Sequence, residues 1–156
     1  SGAIALALAQ ARPQWQITAI DCSAKALDVA QRNAVLNDVQ QVAFLQSDWF
    51  SALQGQRFDV IVSNPPYIAE HDPHLSALKF EPLNALVSGE DGLDAIGLLM
   101  RQVALHLTPG GCFIVEHGYD QAQRVADLAV AAGFVNVNKH TDLSSVDRFV
   151  TAFSSS

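Results

Sequence analysis

Basic residues are scarce in this sequence. Nine Lys and Arg stand against sixteen Asp and Glu, a formal charge of -7 over 156 residues, and the basic ones form no cluster. Nonspecific nucleic-acid affinity depends on neutralising many phosphates, so this balance argues against direct nucleic-acid binding and modestly favours a protein partner. A local basic groove remains compatible with it. Long apolar runs are missing too: the longest, around residues 3–9, is Ala-rich and far too short to span a bilayer, and no basic leader precedes it. No membrane insertion or secretion is expected. There are only two cysteines, Cys22 and Cys112, far apart and without metal-ligand spacing. They suit a reducing, cytoplasmic compartment and read as packing residues. Internal repeats and low-complexity linkers are also absent. What is present is 49% hydrophobic content, ample for the core of one domain, expected over residues 1–153 with a polar tail at 154–156.

The chain alternates helical and strand patterns. Residues 3–12 are rich in helix formers and stop at Pro13, and Ile17-Thr18-Ala19-Ile20 suits a buried strand. Ser23 is a good N-cap for a second helix, which Asn37-Asp38 interrupts. Residues 42–46 and 58–63 read as strands, ending before Asp48 and at Asn64-Pro65-Pro66. Residues 67–92 form a long loop, which suggests a functional role. A helix over 93–107, a turn at Pro109-Gly110-Gly111, a strand over 112–115 and a helix over 120–132 capped by Gly133 follow. Residues 135–139 and 149–153 alternate in the β manner with no helix between them, so they should pair antiparallel. The expected fold is α/β: a Rossmann-like, doubly wound, mostly parallel sheet of six strands with an antiparallel C-terminal edge. The first helix starts at Ser1-Gly2 with no strand before it, so a first central strand is expected upstream of Ser1.

Polar residues gather at the strand ends. Ser1-Gly2 before an Ala-rich helix looks like the end of a glycine loop, or else an arbitrary chain start. Asp21 follows a strand 19 residues after Gly2, near the spacing at which nucleotide-binding sheets place an acid for ribose hydroxyls. It could equally form the turn into the Ser23 helix. Asp48 and Trp49 end the next strand, able to accept from an adenine amino group and to pack near the ring; a turn Asp and a core Trp are the plainer alternative. Three successive strand ends would thus present Asp21, Asp48 and Asn64 to one crevice.

Asn64-Pro65-Pro66-Tyr67 is the sharpest motif. Two prolines fix the backbone and present the Asn64 side-chain oxygen and a neighbouring carbonyl as two fixed acceptors, which suits an NH2 group. Twin hydrogen bonds could orient an amide nitrogen as its conjugation weakens, with Tyr67 packed on the planar group. An ordinary strand-ending turn is the alternative. His71 and His74 lack partners at zinc spacing, so no metal is assigned. Glu116-His117 follows a strand and stays unassigned, and Ser144, Asp147 and His140 lack the context of a hydrolytic triad.

These motifs resemble the HemK/PrmC family of protein-glutamine methyltransferases, which act on the Gly-Gly-Gln glutamine of peptide chain release factors in translation termination. The likeness rests on Ser1-Gly2-Ala3-Ile4-Ala5-Leu6, Ala19-Ile20-Asp21, Ser47-Asp48-Trp49-Phe50 and Asn64-Pro65-Pro66-Tyr67-Ile68. More discriminating are Phe80-Glu81-Pro82, Ala85-Leu86-Val87 and Gly89-Glu90-Asp91-Gly92-Leu93-Asp94, which look like that family's substrate loop. The Asn-Pro-Pro-Tyr element alone is shared with adenine and guanine methyltransferases. The resemblance implies S-adenosylmethionine as methyl donor without a metal, held by Gly2, Asp21, Trp49 and Asn64, with Asp48 a less certain contact. It implies that Asn64, Pro65, Pro66 and Tyr67 hold the glutamine side chain of a release factor. The family also has a helical N-terminal domain and a longer glycine motif, of which only two residues are matched here. Competing readings are methylation of an exocyclic amine in DNA or RNA, and a noncatalytic domain of the same fold.

Overall fold

The computed structural model describes residues 1–73, 75 and 82–155. His74, Phe80 and Glu81, named above, lie outside the described residues. The chain divides into two compact units, Ser1–Gly55 and Gln56–Ser156, each taken by itself below.

In the first unit, α1 (Ala3–Ala11), β1 (Ile17–Asp21), α2 (Ala24–Leu36) and β2 (Val42–Gln46) alternate as expected. α1 stops one residue short of the expected Arg12, because the residue before Pro13 is pushed out of helical conformation. Ser23 caps α2, its hydroxyl accepting the Ala26 N–H at 3.3 Å. β1 and β2 pair in parallel, Ile17 opposite Val42 and Asp21 opposite Gln46, so both strands finish at one end. Leu6, Ala9, Ala34 and Val39 form the buried core, with Ile17, Val42 and Phe44 packed against it.

The second unit contains β3 (Phe58–Ser63), α3 (Asp94–Val103), β4 (Leu107–Glu116), α4 (Ala122–Ala131), β5 (Val135–Thr141) and β6 (Asp147–Phe153). Its sheet runs in the order β3-β4-β6-β5. β3 and β4 are parallel. β6 runs antiparallel to both β4 and β5, which is the antiparallel edge anticipated from the pattern. α3 packs on β4 and α4, and α4 on β5 and β6. Phe113, Val115, Val125 and Val150 are fully buried between these layers.

The largest departures from expectation in this unit lie on either side of Leu107. The helix over 93–107 ends at Val103 and tightens into a 3-10 turn, Ala104–His106. Leu107, almost wholly buried and opposite Phe58, already belongs to β4. The Pro-Gly-Gly at 109–111 is not a turn ahead of the strand but an insertion within it. From Phe58 to Val60 β3 advances two residues, while β4 advances five, from Leu107 to Cys112. Turn residues here mark a bulge, since the pairing resumes on the far side.

Phe113 has no exposed surface and its ring lies 6.3 Å from that of Phe134. Phe113→Ala should cost about 3–5 kcal/mol, read as a lower midpoint in thermal or urea unfolding. An unchanged midpoint would show that the Phe113 ring does not stabilise this core.

Candidate active site

At the finishing end of β1 and β2, backbone and side-chain hydrogen bonds bring the first group of expected site residues together. The Ser47 N–H donates to the Asp21 carbonyl at 3.1 Å, and Gln46 Nε2 donates to the Cys22 carbonyl at 3.0 Å. Asp21 Oδ1 accepts the Ser23 N–H at 2.8 Å, so the turn-forming role raised as its alternative is real. That contact uses one oxygen; Oδ2 accepts no hydrogen bond among the described residues. Asp48 is exposed. Trp49 is half-buried and holds a left-handed backbone, φ 48°. Ser47 Oγ supports it, donating to the Trp49 carbonyl at 2.6 Å and accepting the Ala52 N–H at 3.1 Å.

Gly2 precedes α1 at φ 75°, and a Cβ there would stand 2.8 Å from the Ala30 Cβ of α2. Asn33 Nδ2 donates to the Ser1 carbonyl at 3.0 Å. The start of α1 therefore lies directly on α2, with room for glycine only.

In the second unit, β3 delivers Asn64-Pro65-Pro66-Tyr67 beside the end of β4. Asn64 is exposed and its side chain hydrogen-bonds to no described residue; Pro65 is buried, and Pro66 and Tyr67 are half-buried. The carbonyls of Pro65 and Pro66 accept no hydrogen bond among the described residues, whereas the Tyr67 carbonyl accepts one from Gln121 Nε2 at 3.0 Å. Beyond Tyr67 the chain is laced to the end of the long loop. Ile68 N–H donates to Leu86 O at 2.9 Å, Ser88 N–H to Ile68 O at 3.0 Å and Glu70 N–H to Gly89 O at 3.0 Å.

Several residues of this region carried no assignment from sequence. The Tyr67 hydroxyl donates to Glu116 Oε1 at 3.2 Å, so the acid that ends β4 touches the motif tyrosine. Arg148, whose Nε lies 3.4 Å from Asp142, also acts electrostatically on Tyr67. His117 is wholly buried. Its Nδ1 lies 2.7 Å from the Gly118 carbonyl, and its Nε2 has no partner among the described residues. The only sequence signal for Glu116 and His117 was their place after a strand; Gln121, at a helix start, gave none. His71 is exposed, and among the described residues no three His, Cys, Asp or Glu side chains gather as a metal site. No helix among the described residues is long and apolar enough to cross a membrane.

Burial raises the Tyr67 pKa above its ordinary 10.0, the Glu116 charge and hydrogen bond raise it further, and Arg148 opposes them. The folded protein thus holds this proton more tightly than the unfolded chain. Its contribution to stability is complete below pH 10.0 and is lost as pH rises through the elevated folded value. In a Tyr119→Phe background, which leaves Tyr67 as the one tyrosine of this chain, Glu116→Gln should shift tyrosinate formation to lower pH. Alkaline absorbance titration measures it, and an unmoved midpoint would deny the Glu116 contact.

Comparison with known proteins adds three findings. The model of a family described as methyltransferase small domain matches residues 1–81. The chain is 53% identical over 150 residues to the release factor glutamine methyltransferase of Xylella fastidiosa, covering 95% of this chain and 54% of that protein. It is 45% identical over 150 residues to the protein of that name from Escherichia coli, with the same two coverages, 95% and 54%. The chain thus spans about half the length of the curated relatives it matches. Among solved structures, a methyltransferase from Pyrococcus furiosus superposes with TM-score 0.73 at 18% identity, over 99% of this chain and 70% of that one. A ribosomal protein L11 methylase from Lactobacillus delbrueckii gives 0.66 at 20% identity, over 97% and 63%. At such identities these two likenesses speak for the Rossmann-like fold alone.

Proposed function

The chain belongs to the methyltransferase small domain family, and from that premise we propose that it carries out methylation of a protein glutamine, that of peptide chain release factors. Identity to proteins of that printed activity, 53% in one case, is the observation that carries the reading. The motif geometry supports it independently. Among the described residues Asn64 offers an exposed, uncommitted side-chain oxygen, and the proline carbonyls that follow are uncommitted there too, as two acceptors for one NH2 group require.

S-adenosylmethionine, when bound, supplies a methyl group already activated on a positively charged sulfonium. The residues of the first unit fit its nucleoside part. Asp21 keeps Oδ2 for ribose hydroxyls, Trp49 presents a half-exposed ring, exposed Asp48 can accept from an amino group, and Gly2 allows backbone approach. In this reading Asn64 also contacts the donor, and no metal takes part.

Asn64 and a proline carbonyl would accept both amide hydrogens of the glutamine. That orients the nitrogen lone pair as conjugation with the carbonyl weakens, and one of those hydrogens leaves as a proton once the nitrogen carries the methyl. Pro65 and Pro66 hold the two oxygens at fixed separation, and Tyr67 lies against the flat amide. Its hydroxyl keeps its proton, being half-buried and bonded to Glu116.

The intact protein carrying this chain, given labelled methyl donor, should label a release factor at its Gly-Gly-Gln glutamine. Equal labelling of a factor with that glutamine replaced would refute the target, and labelling of nucleic acid instead would favour an exocyclic amine. Asn64→Ala should lower kcat by about 10²–10³-fold, as loss of one well-placed polar contact to a reacting group does elsewhere. Retained turnover with normal donor affinity would remove the two-acceptor role.

A further inference from the structure

Gln121 occupies a position where its side chain is not used as its location suggests. It is the N-cap of α4, yet it makes no side-chain capping bond, and glutamine is not among the residues favoured there. The amide is instead committed outside the helix. Nε2 donates to the Tyr67 carbonyl at 3.0 Å and to the Asp91 carbonyl at 3.3 Å, while Oε1 accepts the Gly118 N–H at 2.8 Å. Gln121 is 7% exposed. Both N–H groups and the oxygen of a nearly buried carboxamide are thus spent on three separate backbone segments.

The surroundings are shaped to this contact. A Cβ at Gly92 would fall onto the Tyr67 carbonyl oxygen and 2.7 Å from Gln121 Nε2, and Gly92 stands at φ 77°. Only glycine lets the 91–92 turn close on the amide. One helical turn on, Arg124 pairs with the Asp91 carboxylate, whose Oδ1 also accepts the Leu93 N–H at 3.1 Å. The first turn of α4 therefore grips the loop twice, once by backbone and once by charge.

We propose that Gln121 is a positioning residue for methyl transfer, fixing the Tyr67 carbonyl and through it the direction of Asn64, Pro65 and Pro66. This rests on the reading of that motif as an amide clamp. Two prolines make residues 64–66 a stiff rod, so anchoring Tyr67 sets where the rod's acceptors point. Gln121 does this without touching substrate or donor. Glutamate in its place keeps the acceptor for Gly118 N–H but sets a carboxylate oxygen against two carbonyl oxygens; methionine keeps the bulk and loses every polar contact.

The test compares the wild-type intact protein with Gln121→Glu and Gln121→Met, using S-adenosylmethionine and a release factor. Each variant should lose about 10²-fold in kcat, the cost of roughly 1 Å of misplacement. Donor affinity by calorimetry should stay within about two-fold of wild type. Amide hydrogen exchange at Ile68 and Glu70, now bonded to Leu86 and Gly89, should quicken. Unchanged kcat and unchanged exchange in a folded variant would overturn the proposal, as would a lower melting point with full turnover in the cold, which is a purely structural role. If the wild type itself transfers no methyl to the factor, the proposed function fails and the exchange rates alone decide whether Gln121 anchors the motif.

Discussion

Two strands that run the same way and stop together deliver whatever follows them to the same place. β3 and β4 do this: Ser63 lies opposite Val115, so the chain after each leaves the sheet side by side. From that one register follow the bond between Tyr67 and Glu116 and the bond between Gln121 and the Tyr67 carbonyl. An antiparallel pairing would have sent the two exits to opposite ends of the sheet. Parallel sheets place ligand sites at their strand carboxyl ends for the same reason.

The β1–β2 pair obeys the same rule, and its consequences there are simpler. Asp21 and the Ser47 to Trp49 turn meet because their strands end opposite one another. One backbone bond, from the Ser47 N–H to the Asp21 carbonyl, joins the two turns, and Asp21 Oδ2 accepts no hydrogen bond among the described residues. A left-handed tryptophan costs about 1–2 kcal/mol relative to ordinary backbone, and the Ser47 hydroxyl offsets part of that by bonding the Trp49 carbonyl and the Ala52 N–H.

Much of this architecture is legible in the amino-acid sequence. Short apolar runs and, near the C-terminal end, β alternation located the six strands of the described residues, and the run of β-pattern after Gly133 without a helix announced the antiparallel edge. The Ser23 cap was legible because capping chemistry is local. Pro109-Gly110-Gly111 misled for the same reason: local turn chemistry looks alike whether the chain reverses or bulges, and only the partner strand distinguishes them. The site divided along similar lines. The Asn64 to Tyr67 motif announces itself by composition, whereas Gln121 and Glu116 matter through contacts 54 and 49 residues away in sequence. No spacing rule reaches that far, and a glutamine at a helix start is an unremarked residue until its amide is seen pointing elsewhere.

The closeness of Gly92 to the Tyr67 carbonyl has a use in recognising related chains. A four-letter pattern of Asn-Pro-Pro-Tyr is short enough to arise in many sheets that end in a turn, and it says nothing about what must sit against it. At position 92 the spelling is limited to one letter by two independent demands, a crowded carbonyl and a backbone that other residues avoid. A pattern that asked for the tetrapeptide, then a glycine closing the following loop, then a glutamine opening the helix after the next strand, would describe a shape as well as a string. Chains that pass the short pattern and fail the long one would be those whose tetrapeptide has nothing to lean on.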